Sequence, residues 1–488
     1  MSEKQASSRE KNLFSGDIEK DTKNILLHFK GSADIVYREI ICGEKKASLF
    51  MLDGMCDEIK VTEGVVKPVT DMPAPCGKQD FNSFVKTKIF KGVNVKDVLT
   101  PYDAAVNIVM GNLLLIADGE QKALAFPVQG FPKKGPGEPQ AEQNERGSQE
   151  SFTDNFKDNI TLLRRRLRTP LLVIEQHTAG ETSNTPVLIC YLSDRINKEM
   201  LKEIKKRISG IKLDAVLGSG YIRPFLDKGR PSFFTDTGFT ERPDTFSSML
   251  LEGRVGIIVD GTPFALIVPY LFIDYFHTAD DYLSSPYYAL FMRILRVVCF
   301  IIASTLPGAF VAICLFHPEI MPADIMYGIA AATSKTPFPI MVEALTIHFI
   351  YEIVREAGLR MPRSVGHAVS IVGALVIGDA AVTAGLIAAP MLIVVALTAI
   401  SSSVIVKLHE PVAILRFGFI VIGGFTGLYG IMLGVGIMII EICAVSPYGI
   451  PFSAPVSPFV KDAQGDVILR KSWTKTEKSK KLIGRMKF

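Results

Sequence analysis

The chain has 488 residues, of which 48% are hydrophobic, and a net charge of +4. This length is too great for one ordinary hydrophobic core, so roughly two or three domains are expected. Because the opening, MSEKQASSREKN, is polar, we expect no cleavable signal peptide. Seven cysteines without a CxxC spacing exclude a recognisable disulfide framework or zinc motif.

A repeat organises the first half of the chain, in which charged residues are scattered. Two stretches align without gaps and share seven of seventeen positions: GNLLLIADGEQKALAFP (111–127) and GRVGIIVDGTPFALIVP (253–269). Each has an apolar strand, an Asp-Gly turn and a second strand, which is typical of a β-hairpin. We therefore predict two related α/β subdomains whose Asp118-Gly119 and Asp260-Gly261 turns coincide. Chance similarity of two hairpins is the alternative.

The stretch between the repeats, GFPKKGPGEPQAEQNERGSQES, has no apolar periodicity, which predicts a flexible linker. The basic cluster RRRLR (164–168) follows it. On a domain of mixed charge we interpret this cluster as a solvated or interface surface for anionic lipid or a neighbouring subunit. Further on, TERPD followed by LLEGR predicts a capped helix that leads into a strand at Val255.

Long apolar runs dominate residues 289–445 and predict an integral membrane region. The first, LRVVCFIIASTLPGAFVAICLF, is long enough to span a bilayer, and a second pair of runs predicts a helical hairpin that turns at 385–389. The last run, ILRFGFIVIGGFTGLYGIMLGVGIMIIEICAV, is long for one span and short for two. The run FPIMVEALTIHFIYEIV holds two glutamates and a histidine, and is either a span or an interfacial helix.

Basic residues near the ends of these runs predict the orientation. The membrane-interface set is Arg293, Arg296, Arg355, Arg360, Arg363 and Lys407. Together with the basic tail, they favour a cytosolic side for both the soluble half and the tail. An even number of crossings would then be required, whereas the runs are most simply counted as about five.

The predicted fold is an α+β cytosolic region of two related α/β subdomains, followed by an α-helical polytopic membrane domain of about four to six hydrophobic segments. The predicted boundaries are 1–127 and 159–285 for the subdomains, 128–158 for the linker, 286–446 for the membrane domain and 447–488 for the tail.

Two acidic residues, Glu343 and Asp379, stand within apolar runs and need an explanation. Asp379 is expected to snorkel to the interface, to find a partner on a neighbouring helix or subunit, or to lie in an ion path. The opposite face of its helix carries a stripe of mostly small side chains: Gly366, Ser370, Gly373, Ala374, Ile377, Ala381 and Gly385. This stripe predicts either close helix packing or a narrow pathway lined by several copies.

The sequence contains no P-loop, GxSxG or HExxH motif, and its histidines are isolated. We therefore expect no enzymatic activity, no cofactor and no metal.

Four motifs resemble the A subunit of GerA-type spore germinant receptors: FTERPDTFSSMLLEGRVGIIVDGTPFALIVP, PFPIMVEAL, REAGLRMPRSVGHAVSIVGALVIGDAAVTAGLIAAPMLIVVALTAISS and LRFGFIVIGGFTGLYGI. The resemblance implies a subunit of the spore inner membrane that works with B and C subunits in response to small nutrients. It further implies self-association into a ring that conducts cations and triggers germination, with no nucleic acid as partner.

Two departures from the family pattern stand out. The family usually has Gln where this chain has Asp379, and Ile-Pro where this chain has VIVKLHEP with Lys407. Two other functions stay open, namely a sporulation-stage paralogue that acts in ion or small-molecule release and a secondary transporter that works alone. The second is disfavoured because no repeat is visible in the membrane half.

Overall fold

The computed structural model describes residues 13–43, 45–72, 81–86, 95–130, 137, 139, 141, 142, 144, 146–227, 232–361, 378–459, 466 and 467. These residues form two units. The sheet unit comprises described residues of 13–227 and Thr237–Tyr270. The helical unit comprises 232–236 and the described residues from Leu271 onward.

The first sheet of the sheet unit is antiparallel, with the strand order β1-β2-β4-β5-β3. Its strands are β1 (Ile35–Cys42), β2 (Lys45–Leu52), β3 (Lys96–Val98), β4 (Leu113–Ala117) and β5 (Ala123–Phe126). One face packs on helices α1 (Ile18–Phe29) and α2 (Pro101–Val109). Short helical segments cover the other face: Glu58–Val61, Thr62–Val66, Lys67–Thr70 and Phe81–Phe84. Both faces are therefore buried, which explains why β4 and β5 are apolar at every position.

The second sheet repeats this order as β6-β7-β9-β10-β8. Its strands are β6 (Leu172–Ala179), β7 (Thr185–Leu192), β8 (Gly238–Thr240), β9 (Val255–Val259) and β10 (Ala265–Val268). Its helices are α3 (Phe156–Arg166), α4 (Lys198–Ser209), α5 (Ser219–Leu226) and α6 (Pro243–Leu251). The prediction of two related subdomains is confirmed, as is the helix that leads into a strand at Val255. The predicted cap of that helix is wrong, because its N-cap residue Arg242 makes no side-chain capping hydrogen bond.

The two Asp-Gly turns are anchored by equivalent hydrogen bonds, one in each subdomain. Gly119 N–H donates to the carbonyl of Gly16, and Gly261 N–H donates to the carbonyl of Asp154, both over 2.8 Å. Gly16 and Asp154 each directly precede the N-cap of a helix, α1 in one subdomain and α3 in the other. Both turn glycines have a positive φ, 79° and 85°, which explains why glycine follows aspartate in each turn. The turns are therefore equivalent in structure as well as in sequence.

A buried ion pair joins the two subdomains inside the sheet unit. Arg164 on α3 is fully buried and meets Asp34, just before β1, with two nitrogen–oxygen distances of 2.8 and 2.9 Å. Arg164 also donates to the hydroxyl of Ser32 over 3.1 Å. That hydroxyl accepts the backbone N–H of Ile174, in β6, over 3.0 Å. The bidentate geometry and the shared hydroxyl satisfy charges that burial would otherwise make costly.

The surface interpretation of the basic cluster at 164–168 is therefore wrong for Arg164, whereas Arg165 and Arg166 are half-buried. Arg164 is buried, and Arg166 binds Glu150 over 2.8 Å. Arg165 lies 3.3 Å from the same carboxylate. Arg168 alone of these four side chains is exposed. The acids that pair with the cluster lie elsewhere in the chain, so composition within the cluster could not reveal them.

The helical unit contains five labelled helices: α7 (Pro286–Phe316), α8 (Ala323–Thr333), α9 (Ile340–Arg360), α10 (Ala389–Val404) and α11 (His409–Ala444). Among the described residues, α7 and the stretch Val406–Ala444 are long and apolar enough to cross a membrane. The last run forms one helix of 36 residues, but Gly427 within it has φ 65° and ψ −155°. The run that was long for one span is thus interrupted at a glycine.

The predicted helical hairpin is confirmed where it is described. Residues 378–383 are helical, Gly385 has a left-handed φ of 68°, and α10 begins at Ala389. Pro390 lies in the first turn of α10, where a missing N–H has no cost. The earlier part of the predicted first helix lies outside the described residues.

Replacing Arg164 with methionine should destabilise the sheet unit by about 3–5 kcal/mol, because Asp34 would be left buried without its counter-charge. Arg168→Met on the same cluster is the matched control, and we expect it to change stability by less than about 0.5 kcal/mol. Thermal unfolding of the full-length protein in detergent, followed by circular dichroism, measures both. Equal unfolding midpoints for the two variants would contradict the role assigned to the buried pair.

Candidate functional site in the helical unit

Helices α7 and α11 touch backbone to backbone. A methyl group added at Gly423 would overlap the carbonyl of Gly308, and one added at Gly308 would overlap the backbone of Phe419. Glycine at both positions is thus required by the close approach of the two helices, which is a common way for apolar helices to associate in membranes.

Pro307, next to this contact, opens a gap in the hydrogen bonds of α7. Proline has no N–H, so the carbonyl of Ala303, four residues earlier, loses its helical donor. Arg416 on α11 fills the gap, because its Nε–H donates to the Ala303 carbonyl over 3.1 Å. A side chain of one helix therefore completes the backbone hydrogen bonding of another.

The rest of the Arg416 guanidinium meets α9. Nη1 donates to Glu352 Oε1 over 3.2 Å, and the guanidinium lies 5.6 Å from the centre of the Tyr351 ring. The side chain has no solvent exposure. Among the described residues, Nη2 has no hydrogen-bond acceptor. An unmade hydrogen bond at a buried nitrogen costs about 1–3 kcal/mol, so this junction is incompletely satisfied.

A fourth helix, α10, completes what we call the Arg416 cluster. Glu352 Oε2 lies 3.5 Å from Arg355 and 3.5 Å from Nε2 of His409, at the start of α11. Arg355 also contacts His409 directly. The Nδ1 of His409 lies 3.0 Å from the hydroxyl of Ser402 on α10. The cluster therefore links α7, α9, α10 and α11 through groups that are all polar or charged.

Glu343 has the partner that its place in an apolar run called for. Its buried carboxylate accepts the N–H of Ala388 over 2.5 Å, directly before α10, and lies 3.4 Å from the Thr336 hydroxyl. A carboxylate at a helix N-terminus is favoured by the free N–H groups and the helix dipole. Glu343 thus connects α9 to the turn of the hairpin.

A second charge cluster lies at the start of α7, around Asp281. Arg296 binds both oxygens of Asp281, over 2.7 and 2.9 Å, and Arg293 lies 3.3 Å away. Arg293 also reaches Asp466 over 3.1 Å. Burial alone would raise the pKa of Asp281, but the hydrogen bonds and charge of Arg296, with help from Arg293, lower it below its ordinary value. Arg293 and Arg296, two members of the predicted interface set, are therefore buried and paired.

The structure places the other predicted residues as follows. Asp379 is exposed and forms no hydrogen bond or ion pair within the part of the chain that is described. Ala381 is buried in an apolar cluster that includes Met391. Arg360 is exposed and pairs with Glu356 over 2.6 Å, and Lys407 is half-buried. The remaining predicted positions lie outside the described residues: Arg363, Gly366, Ser370, Gly373, Ala374 and Ile377.

Sequence reasoning missed Arg416 and His409. Both lie at the start of the last apolar run, where a charged residue is usually interpreted as lying at the membrane interface. The available signal was Pro307 in α7, since a proline inside a membrane-length helix implies that some group must satisfy the carbonyl four residues earlier. That rule predicts that a donor is needed, but it does not identify the donor.

Comparison with known proteins identifies the family of the chain. The family described as Bacillus/Clostridium GerA spore germination protein matches residues 23–482. The chain belongs to this family. That membership supports a role as the A subunit of a spore germinant receptor.

Individual relatives match over most of their length. The chain is 36% identical to Spore germination protein KA of Bacillus subtilis (strain 168), over 96% of this chain and 86% of that protein. It is 31% identical to Spore germination protein B1 of the same organism, over 87% of this chain and 88% of that protein. The crystal structure of the N-terminal domain of the A subunit of the Bacillus megaterium spore germinant receptor GerK3 is 27% identical, with a TM-score of 0.42, and covers 54% of this chain and 98% of that one.

The α7–α11 contact predicts opposite effects for two glycines of the same helix. Gly423→Ala should destabilise the protein by about 1–3 kcal/mol or more, because the new methyl group meets the Gly308 carbonyl. Gly418→Ala meets nothing within 4 Å and should be neutral or stabilising by up to about 1 kcal/mol. Thermal unfolding of the full-length protein in detergent measures both. A midpoint for Gly423→Ala at or above that of Gly418→Ala would disprove the close contact.

Proposed function

We propose that this chain is the A subunit of a nutrient germinant receptor that forms a ring in the spore inner membrane and conducts cations when nutrient is sensed. The family match over residues 23–482 carries the proposal, because it spans both the sheet unit and the helical unit. The two sheets then lie on the cytosolic side, and the helical unit crosses the membrane several times. B and C subunits are the expected partners, and the chain has no enzymatic role.

Features of the helical unit support a membrane assembly. Large apolar side chains are exposed along α7 and α11, for example Phe291, Ile301, Phe425, Met432 and Ile440. Exposed apolar surface of this extent suits lipid tails or neighbouring subunits. The charged residues that point inward are instead paired within the chain, in the Arg416 cluster and around Asp281. This distribution of apolar and charged residues suits a bundle that holds its polar interactions away from lipid.

For the conducting path, we propose the helix that includes residues 378–383, with its stripe of small residues. Ala381 packs within its own chain, and the earlier positions of the stripe, such as Ile377, lie outside the described residues. Asp379 points away from the core of its own chain and is free to meet an adjacent subunit. An exposed carboxylate on an apolar helix needs such a partner.

Ion flux tests this proposal directly. The full-length chain, alone and together with its B and C subunits, is reconstituted in vesicles loaded with potassium. We expect nutrient-dependent potassium release from the complete complex, and an altered release rate for Ile377→Ala, since a narrow apolar constriction controls wetting of the path. The matched control is Leu397→Ala, at an exposed apolar position of α10. A complex that binds nutrient but releases no potassium would contradict the channel.

Asp379 variants test the subunit contact. Asp379→Asn keeps the size and much of the hydrogen bonding, so it should leave abundance and release near those of the wild type. Asp379→Leu should lower the abundance of the complex, by an amount that corresponds to about 1–3 kcal/mol for an unsatisfied buried partner. Ala380→Leu adds apolar bulk at the neighbouring exposed position and is the control. Normal abundance with altered ion selectivity in Asp379→Asn would instead assign the carboxylate to the ion path.

A further inference from the structure

We propose that Arg416 is a positioning residue of the channel. Arg416 donates the hydrogen bond that Pro307 cannot, and thereby holds α7, α9 and α11 in the closed arrangement. The channel itself rests on the proposed function, whereas the coupling between Arg416 and Pro307 is a property of the fold and can be measured by itself.

The first step is the backbone gap. The carbonyl of Ala303 has no N–H donor in its own helix, because residue 307 is proline. Arg416 Nε supplies the donor from α11 over 3.1 Å. Any rotation or translation of α11 that moves this nitrogen away leaves a buried carbonyl unpaired. The relative position of the two helices is therefore linked to one hydrogen bond.

The second step is that the same guanidinium reaches a third helix. Nη1 contacts Glu352 on α9 over 3.2 Å, while Nε stays on α7. A planar guanidinium holds donors on separate nitrogens in a fixed fork, whereas the three donors of lysine lie on one nitrogen at the end of a flexible stem. Arginine is thus the residue type that can bridge a backbone carbonyl of one helix and a carboxylate of another.

The third step is that Arg416 makes fewer hydrogen bonds to its carboxylate partner than Arg296 makes to Asp281. Arg296 donates two hydrogen bonds to the Asp281 carboxylate, over 2.7 and 2.9 Å. Arg416 has single contacts of 3.1 and 3.2 Å, and its Nη2 has no acceptor among the described residues. The Arg416 junction can exchange partners at lower cost, as a gate requires.

The test is a double-mutant cycle in the full-length protein. Pro307→Ala restores an N–H that can donate to the Ala303 carbonyl, so Arg416 is no longer needed there. Arg416→Lys should therefore lower the thermal midpoint clearly in the wild-type background and much less in the Pro307→Ala background. Residues that act through one shared hydrogen bond give such non-additive effects, whereas independent residues add.

The second readout is ion release in reconstituted complexes. Arg416→Lys should raise potassium release without nutrient by about tenfold, the factor that corresponds to about 1.4 kcal/mol lost from the closed state. Pro307→Ala should bring the release of the double variant back toward that of the wild type. Arg360→Lys, on the exposed side of α9, is the control and should change neither readout. If Arg416→Lys does not accumulate, Glu352→Gln weakens the same link to α9 and should also raise release.

Additive midpoints in the cycle would overturn the coupling. A non-additive cycle with unchanged nutrient-independent release would show that the junction is only structural, and would overturn the gating role. If the wild-type complex releases no potassium under any condition, the proposed channel fails, while the midpoints still decide whether Arg416 and Pro307 are coupled.

Discussion

The carbonyl of Ala303 requires a hydrogen-bond donor from another helix. The packing of α7, α9 and α11 depends on how that donor is supplied. In apolar surroundings no water is present to form a hydrogen bond with an unpaired backbone group. Pro307 removes the local N–H, and Arg416 supplies its replacement from α11. A buried guanidinium in turn requires a counter-charge, which Glu352 provides from α9. The arginine can reach these groups only if the helices are close, and Gly308 and Gly423 allow that approach.

The same logic governs the other buried charges. Asp281 is matched by Arg296 and Arg293, Glu343 by the N-terminus of α10, and Asp34 by Arg164. Each pair joins separate segments, so removing a partner would strand a charge out of reach of water. Buried charges therefore act here as specific connections between elements whose apolar packing alone would allow several arrangements. In the sheet unit, the Arg164–Asp34 pair holds the two subdomains in one relative position.

The duplication in the sheet unit shows how local chemistry and tertiary structure support one another. Each Asp-Gly turn is favoured by its own residues, but each is also anchored to the residue before a helix N-cap. The turn and the helix start are thus fixed together in both subdomains. This chain of the GerA family therefore carries the same arrangement of turn and helix start twice.

The sequence by itself determined the elements whose causes are local. The Asp-Gly hairpins, the turn at Gly385, the first turn of α10 with its Pro390 and the apolar length of α7 all follow from neighbouring residues, through turn geometry, missing N–H groups and hydrophobicity. The family motifs likewise indicated membership without a structure. Only the tertiary structure decided which charges are buried and what they bind. Arg164 and Asp34 are separated by 130 residues, Arg416 and Ala303 by 113, and Glu343 and Ala388 by 45. Partners so far apart in the chain are chosen by packing, because an arginine or glutamate carries the same charge whether it faces water or a buried acceptor.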